Sequence, residues 1–345
     1  GDSGLTIGEV SPYALRAAIE SSHTPMYVWI GWLDAGTVDG ALSRYLTFSN
    51  PQKLVIGPWS HGGAHHTDPF LPPDTPTAPT REEQTQMLVD FFDLYLKEGA
   101  SETPERSIRY YTLGEGVWKT TQTWPPEGFK PQRWYFGPGG TLSLNAPQDK
   151  GDADRYRVDF TASTGGATRW HTQLGGYDVV YPDRAEEDLK LLTYTSAPLE
   201  TDVEITGSPI ITLYVASTTT SDNAFHVYLE DVAPDGRVTY ITEGILRAVH
   251  RKISDETPPY VQLGPYHSYL RADALPMIPN EVAEISFNLY ATSVLIQKGH
   301  SIRIALAGHD ASVFSRYPAE GTPIWRVQRN QLYPSSILLP VLARP

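Results

Sequence analysis

Two short apolar runs near the start of the chain set its pattern. Met26-Tyr27-Val28-Trp29-Ile30-Gly31-Trp32 and Lys53-Leu54-Val55-Ile56-Gly57 are rich in β-branched and aromatic residues and lack the polar alternation of a half-exposed strand. Such runs predict strands buried on both faces of a parallel sheet. Between them, Asp39 to Phe48 carries Leu42, Tyr45 and Leu46 at helical spacing. Strand, helix, strand predicts one βαβ unit.

Upstream, Ser11-Pro12 predicts a helix start, with Ser as N-cap, Pro at the first helical position, and Leu15, Ala18 and Ile19 on one face. Downstream, Pro69 to Pro79 is too proline-dense for a helix or strand interior and predicts a loop. Thr80-Arg81-Glu82-Glu83 then reads as a capping box opening a helix whose stripe of Met87, Leu88, Phe91, Phe92 and Tyr95 is expected to be core, with Gly99 as the stop. Arg106 to Leu113 alternates weakly and leads into Gly-, Trp- and Pro-rich connections.

From about Arg133 the long helical stripes disappear. Short β-rich runs recur between turn residues: Ile210 to Ala216, Ala224 to Val232, Val238 to Ile241, Val282 to Tyr290 and Ser301 to Ala307. Pro234-Asp235-Gly236 is a turn with a mechanism, since Pro presets φ and Gly tolerates positive φ. This half predicts an antiparallel sandwich or jelly roll.

The chemistry sits just past the two early strands. In an open parallel sheet functional groups gather beyond the carboxyl ends of the strands, and Asp34 and His61 fall there. A carboxylate beside an imidazole can accept Nδ1–H, fix the tautomer and stabilise the imidazolium formed when Nε2 takes a proton from a serine hydroxyl. The bland alternative makes Asp34 a helix cap and His61 an ordinary loop residue. A metal site built from His61, His65, His66 and Asp68 is another, although the spacing matches no helix-borne zinc motif.

The words Gly31-Trp32-Leu33-Asp34 and Gly57-Pro58-Trp59-Ser60-His61, one βαβ apart, resemble the cocaine esterase-like serine hydrolases, a family that includes X-Pro dipeptidyl peptidases and acylases. Ser196-Ala197-Pro198-Leu199, Ile205-Thr206-Gly207, Leu289-Tyr290-Ala291-Thr292-Ser293 and Lys298-Gly299-His300 resemble that family's C-terminal jelly roll. The resemblance implies an α/β plus all-β fold: the C-terminal part of an α/β-hydrolase domain over residues 1–125, then a jelly-roll-like β-sandwich over 126–345. It also implies that Asp34 is the triad acid and His61 the base. From their place beside that pair, and not from the resemblance, Trp32, Trp59, His65 and His66 are expected to line a substrate pocket.

On this fold the chain order is nucleophile, acid, histidine. No Gly-x-Ser-x-Gly elbow occurs in the 345 residues, and Gly1-Asp2-Ser3-Gly4 matches a chymotrypsin-type nucleophile loop only as a string. The resemblance implies that the serine and oxyanion hole belong to an upstream segment, either missing from this chain or carried by an N-terminal partner polypeptide. The expected substrate is a small ester or amide, with no cofactor and no metal. The motif words stand nearer the esterase and acylase branch than the X-Pro dipeptidyl peptidases. A non-catalytic, carbohydrate-type β-sandwich module is the competing class.

Composition narrows the partners. A formal charge of −13 disfavours nucleic acid and anionic membrane surfaces as partners, and no apolar run approaches a membrane span. Zero cysteines exclude disulfides, thiol catalysis and Cys-based metal sites. Twenty Tyr and eight Trp are expected to fill the sandwich core and its interface rather than form a sugar platform. His226, His250, His267, His300 and His309 are assigned no role, and Asp202, Glu204 and Glu230-Asp231 are read as exposed acidic turns rather than calcium ligands.

Overall fold

The computed structural model describes residues 7–97, 106–174, 178–218 and 222–344. Ser3 and Gly99 lie outside these residues. Helices α1 (Ile7–Val10) and α2 (Arg16–Ser21) lead to strand β1 (Met26–Gly31), helix α3 (Thr37–Thr47) and strand β2 (Gln52–Gly57). Helix α4 (Arg81–Leu96) and strands β3 (Arg106–Thr112) and β4 (Val117–Thr121) complete a four-stranded sheet of order β1-β2-β3-β4. The first three strands are parallel, in two successive βαβ units, and β4 turns back antiparallel to β3.

The expected βαβ unit is present, and α3 buries Val38, Ala41, Leu42 and Tyr45 beneath the sheet. The third parallel strand was not evident from Arg106 to Leu113, because two arginines interrupt its apolar pattern. Arg106 is placed there to cap α3: its guanidinium donates to the carbonyls of Phe48 at 2.7 Å, Asn50 at 2.7 Å and Tyr45 at 2.5 Å. These are carbonyls that a helix end and its exit leave without an intrahelical partner.

Two local expectations change. Ser11 makes no side-chain cap; Pro12–Leu15 forms a 3-10 turn, and the α-helix begins only at Arg16. The turn's geometry suits proline at its first position, but Leu15 is exposed rather than packed on an apolar face. The capping box at Thr80 and Glu83 forms as predicted, yet the stripe of α4 is not core. Phe91 meets Tyr27 of β1 at a ring separation of 5.0 Å, while Leu88, Phe92 and Leu96 face outward. Among the described residues α4 touches the sheet at its edge strand, and Leu88, Phe92 and Leu96 of its apolar face remain exposed.

The all-β part starts at the strand Lys130–Gly137, which pairs antiparallel with the C-terminal strand Ser336–Ala343. Among the described residues thirteen strands form the sandwich, and the long Ala224–Val232 strand lies between Val238–Arg247 and Ser301–Ala307. Pro234-Asp235-Gly236 makes the expected turn, with Gly236 at φ +92°. Tyr194, Tyr228, Tyr240, Phe225 and Trp325 are fully buried, as a sandwich core requires. The fold is thus the C-terminal part of an α/β-hydrolase domain followed by a jelly-roll β-sandwich.

Of the four acids read as exposed turns, Asp202 is half-buried outside any strand and the other three lie within strands. Glu204, Glu230 and Asp231 are buried. Burial of a carboxylate is tolerated when it is paired: Glu230 accepts from Arg184 at 3.3 Å, Asp231 lies 2.9 Å from His300 Nδ1, and Glu204 holds Lys119 at 2.8 Å together with Arg344. Lys119 belongs to β4, so Glu204 fastens the sandwich to the parallel sheet. A second fastening is backbone to backbone, where Leu113 N–H donates to Ser293 O at 2.8 Å and Leu295 N–H to Leu113 O at 3.0 Å.

Candidate active site

Strands β1 and β2 run in register and end side by side at Gly31 and Gly57. Both glycines are required by close approach rather than by φ. A Cβ on Gly31 would sit 1.9 Å from the Trp59 carbonyl oxygen, and one on Gly57 would sit 2.4 Å from the Trp59 ring. The chain leaving β2 therefore folds back over the strand ends, with Trp59 stacked on Trp29 at a ring separation of 5.2 Å and packed against Trp118 at 5.6 Å. Trp32 continues the ladder by donating its N–H to Gly57 O at 3.0 Å, and its indole Nε1 donates to Tyr111 O at 2.7 Å.

Trp32 and Trp59 are therefore corrected from substrate-pocket residues to core. Both side chains are almost completely buried, and their role is to shape the strand ends that carry the polar groups.

Past β1, the loop turns sharply at Ala35, a non-glycine residue at φ +44°. The carbonyl of Asp34, not its side chain, closes the entry to α3, accepting from Thr37 N at 3.1 Å and Thr37 Oγ1 at 2.5 Å. That leaves the carboxylate available, against the reading of Asp34 as a side-chain cap. Past β2, residues 58–67 close on themselves: Ser60 N donates to His65 O at 2.9 Å and Thr67 N to Pro58 O at 2.8 Å. His61 opens a 3-10 turn at the tip whose Gly62 and Gly63 have φ of +79° and +72°. The start of α4 props this tip, since Arg81 donates to Gly62 O at 3.0 Å.

The two loops bring Asp34 and His61 together. His61 Nδ1 lies 3.1 Å from Asp34 Oδ2 and 3.2 Å from Oδ1. A carboxylate only accepts, so Nδ1 carries the proton and Nε2 is the nitrogen left for chemistry. The Asp34 side chain is 5% exposed and that of His61 is 52% exposed. The acid is sequestered while the imidazole faces an open surface.

His65 and His66 do not join the pair. His65 is exposed and bridges to Asp178 at 2.6 Å. His66 is buried opposite Trp59, and burial pushes its pKa down against the opposing pull of Asp68. Asp68 accepts from Phe70 N at 3.0 Å and Gly114 N at 3.3 Å, and its burial raises its pKa. Among the described residues, no three His, Asp or Glu side chains converge as a metal-binding group. A groove lined by Tyr13, Trp29, Arg44, Tyr260 and Tyr266 lies elsewhere on the molecule and includes neither Asp34 nor His61.

One contributor was invisible in the sequence. Thr168 to Thr172, a loop of the all-β part, reaches back to both strand-end loops. Arg169 donates to the carbonyls of Ala35 at 2.6 Å and Trp32 at 2.9 Å, and Thr172 Oγ1 accepts from His61 N at 3.0 Å. No motif or periodicity marks these residues, because their partners lie more than a hundred positions away.

A parallel sheet that ends in paired loops, followed by a jelly roll packed against it, defines the rear part of an α/β-hydrolase with a C-terminal β domain. The model of the X-Pro dipeptidyl-peptidase C-terminal non-catalytic domain matches residues 99–329. The chain belongs to the cocaine esterase-like and X-Pro dipeptidyl peptidase family. It is 43% identical over 343 residues to a protein of Mycobacterium bovis named as a serine esterase, covering 98% of this chain and 53% of that relative. It is 26% identical over 350 residues to the cocaine esterase of a Rhodococcus species, covering 93% of this chain and 57% of that enzyme. Among solved structures, an aminopeptidase from a marine sediment thaumarchaeon superposes with a TM-score of 0.72 at 20% identity, over 92% of this chain and 55% of that one. An α-amino acid ester hydrolase superposes with a TM-score of 0.67 at 20% identity, over 97% and 53%. The chain thus spans about half the length of the relatives it matches.

Proposed function

We propose that this chain supplies the acid and the base of a serine hydrolase acting on carboxylic esters, with Asp34 orienting His61. The observation that carries the reading is the buried carboxylate held 3.1 Å from Nδ1 of an exposed imidazole at the ends of two adjacent parallel strands. The serine and the oxyanion donors come from an upstream polypeptide. Two features support such a partner: among the described residues the outer edge of β1 has no neighbouring strand, and α4 leaves Leu88, Phe92 and Leu96 exposed. Parallel sheets are otherwise covered on both faces.

In this reaction the serine oxygen attacks the acyl carbonyl while His61 Nε2 takes its proton, and the tetrahedral intermediate collapses as His61 returns that proton to the departing alcohol. Water then attacks the acyl-enzyme by the same route and restores the serine. Asp34 holds the tautomer and stabilises the transient imidazolium. The names of the relatives in Mycobacterium and Rhodococcus favour esters over peptides as the substrate class.

The test is intact-mass spectrometry of this chain with its upstream polypeptide, before and after a fluorophosphonate probe. Probe mass on an upstream serine, lost in His61→Ala, is the expected result. No labelled serine, or labelling undiminished in His61→Ala, overturns the reading.

A further inference from the structure

We propose that Arg169, in the jelly roll, is a positioning residue for the acid of the proposed hydrolase, and that the loop 168–172 makes the β domain part of the active-site framework. This rests on the reading of Asp34 and His61 as acid and base.

Arg169 holds the loop that carries Asp34 by its backbone. Its side chain is fully buried, a costly place for a cation unless its donors are used. Nε and Nη2 donate to the carbonyls of Ala35 and Trp32, at 2.6 and 2.9 Å, and these residues flank the Leu33-Asp34 pair. The Arg169 carbonyl accepts in return from Ala35 N at 2.8 Å. A planar guanidinium can hold two carbonyls in fixed relation; an ammonium holds a single point.

The other side of Arg169 is itself anchored. Nη1 points to Thr242 Oγ1 at 3.3 Å and Tyr240 OH at 3.4 Å, and the guanidinium lies 4.5 Å from the centre of the Tyr290 ring. Tyr240 is stacked on Tyr181 at 3.8 Å, and Tyr181 OH accepts from Arg169 N at 3.0 Å. The rigid sandwich core therefore sets where Arg169 sits, and Arg169 sets the turn that contains the left-handed Ala35. Three residues further along the same loop, Thr172 Oγ1 accepts from His61 N at 3.0 Å. One short segment fixes the backbone beneath both members of the pair.

The alternative is that Arg169 only joins the two parts of the fold. The two differ in how Arg169 couples to Asp34. In the chain with its upstream polypeptide, the rate of fluorophosphonate labelling is measured for Arg169→Lys, Asp34→Asn and the double variant, with melting temperature recorded for each. Expected is a loss of about 10²-fold for Arg169→Lys, the scale of a small misplacement at a reacting centre. In the Asp34→Asn background the same change should cost almost nothing, because residues acting as one unit are non-additive.

Labelling of Arg169→Lys at the parent rate overturns the inference, as does an equal fold-loss in both backgrounds. If Arg169→Lys does not fold, Thr172→Val decides: a roughly tenfold slower labelling at unchanged melting temperature supports the framework role of the loop, and an unchanged rate overturns it. A parent protein whose labelling survives His61→Ala, or which never labels, removes the hydrolase reading instead, so the two failures are separate.

Discussion

Gly31 lies directly opposite Gly57 at the carboxyl ends of β1 and β2, and the space above the pair is filled by Trp59. Neither glycine is needed for its φ; each is needed because a methyl group would occupy the position of the tryptophan. Gly57→Ala should therefore push the indole off its stack with Trp29 and cost about 1–3 kcal/mol, the usual range for overpacking a filled core. Urea unfolding measures this. Because Trp59 sits two residues before His61, the variant should also label more slowly than its stability loss explains.

Asp34→Asn keeps the shape of the loop, since the Asp34 contacts to Thr37 use its backbone carbonyl. It replaces one acceptor oxygen with an amide N–H donor, which favours the wrong His61 tautomer. A drop of about 10⁴-fold in turnover is expected, the scale known for this exchange in a serine triad. Ester hydrolysis by the assembled protein, at unchanged melting temperature, is the measurement.

Asp39 ties α3 to the jelly roll, accepting from Ala291 N at 2.9 Å and Asn288 Nδ2 at 2.8 Å. Burial raises its pKa from 3.8 to about 6, against the hydrogen bonds that favour the charge. The folded state therefore binds the proton more tightly than the unfolded chain, so this group favours folding at low pH and loses that contribution as pH rises from about 4 to about 6. Asp39→Asn should remove this part of the pH dependence, read as the change in urea midpoint between the two ends of that window.

His226 works in the opposite direction. It is buried in the sandwich, and burial lowers its pKa from 6.5 to about 4 despite Asp310 nearby. The unfolded chain takes up a proton first as pH falls, so stability declines from about 6.5 towards about 4. His226→Asn, which keeps a polar side chain but no titrating ring, should flatten acid unfolding in that range. The double variant with Asp39→Asn separates the two opposing slopes.

The βαβ unit, the capping box and the alternation of the sandwich were legible because each is local: apolar spacing, a Thr and a Glu three residues apart, turn residues at fixed offsets. Asp34 and His61 were singled out for the same reason, since strand ends can be read from the runs that precede them. The packing of Trp32 and Trp59 was not legible, because an aromatic beside a polar group looks alike in sequence whether it faces a pocket or a core. Glu204 and Glu230 looked like surface acids because their partners Arg344 and Arg184 are remote in the chain. Arg169 was silent for the same reason. Arg106 showed the reverse problem, as a charge that caps a helix end disguised a buried strand.

The outer edge of β1 has a colloidal consequence. It presents a row of backbone N–H and C=O groups without a neighbouring strand among the described residues, and Phe92 and Leu96 of α4 are exposed as well. Such an edge is a template for pairing with another molecule. What keeps separate copies apart is mutual repulsion from a formal charge of −13. Salt screens that repulsion within about 8 Å at physiological strength, so the unaccompanied chain should stay dispersed in dilute buffer and clump as salt is added or as pH falls towards its isoelectric point.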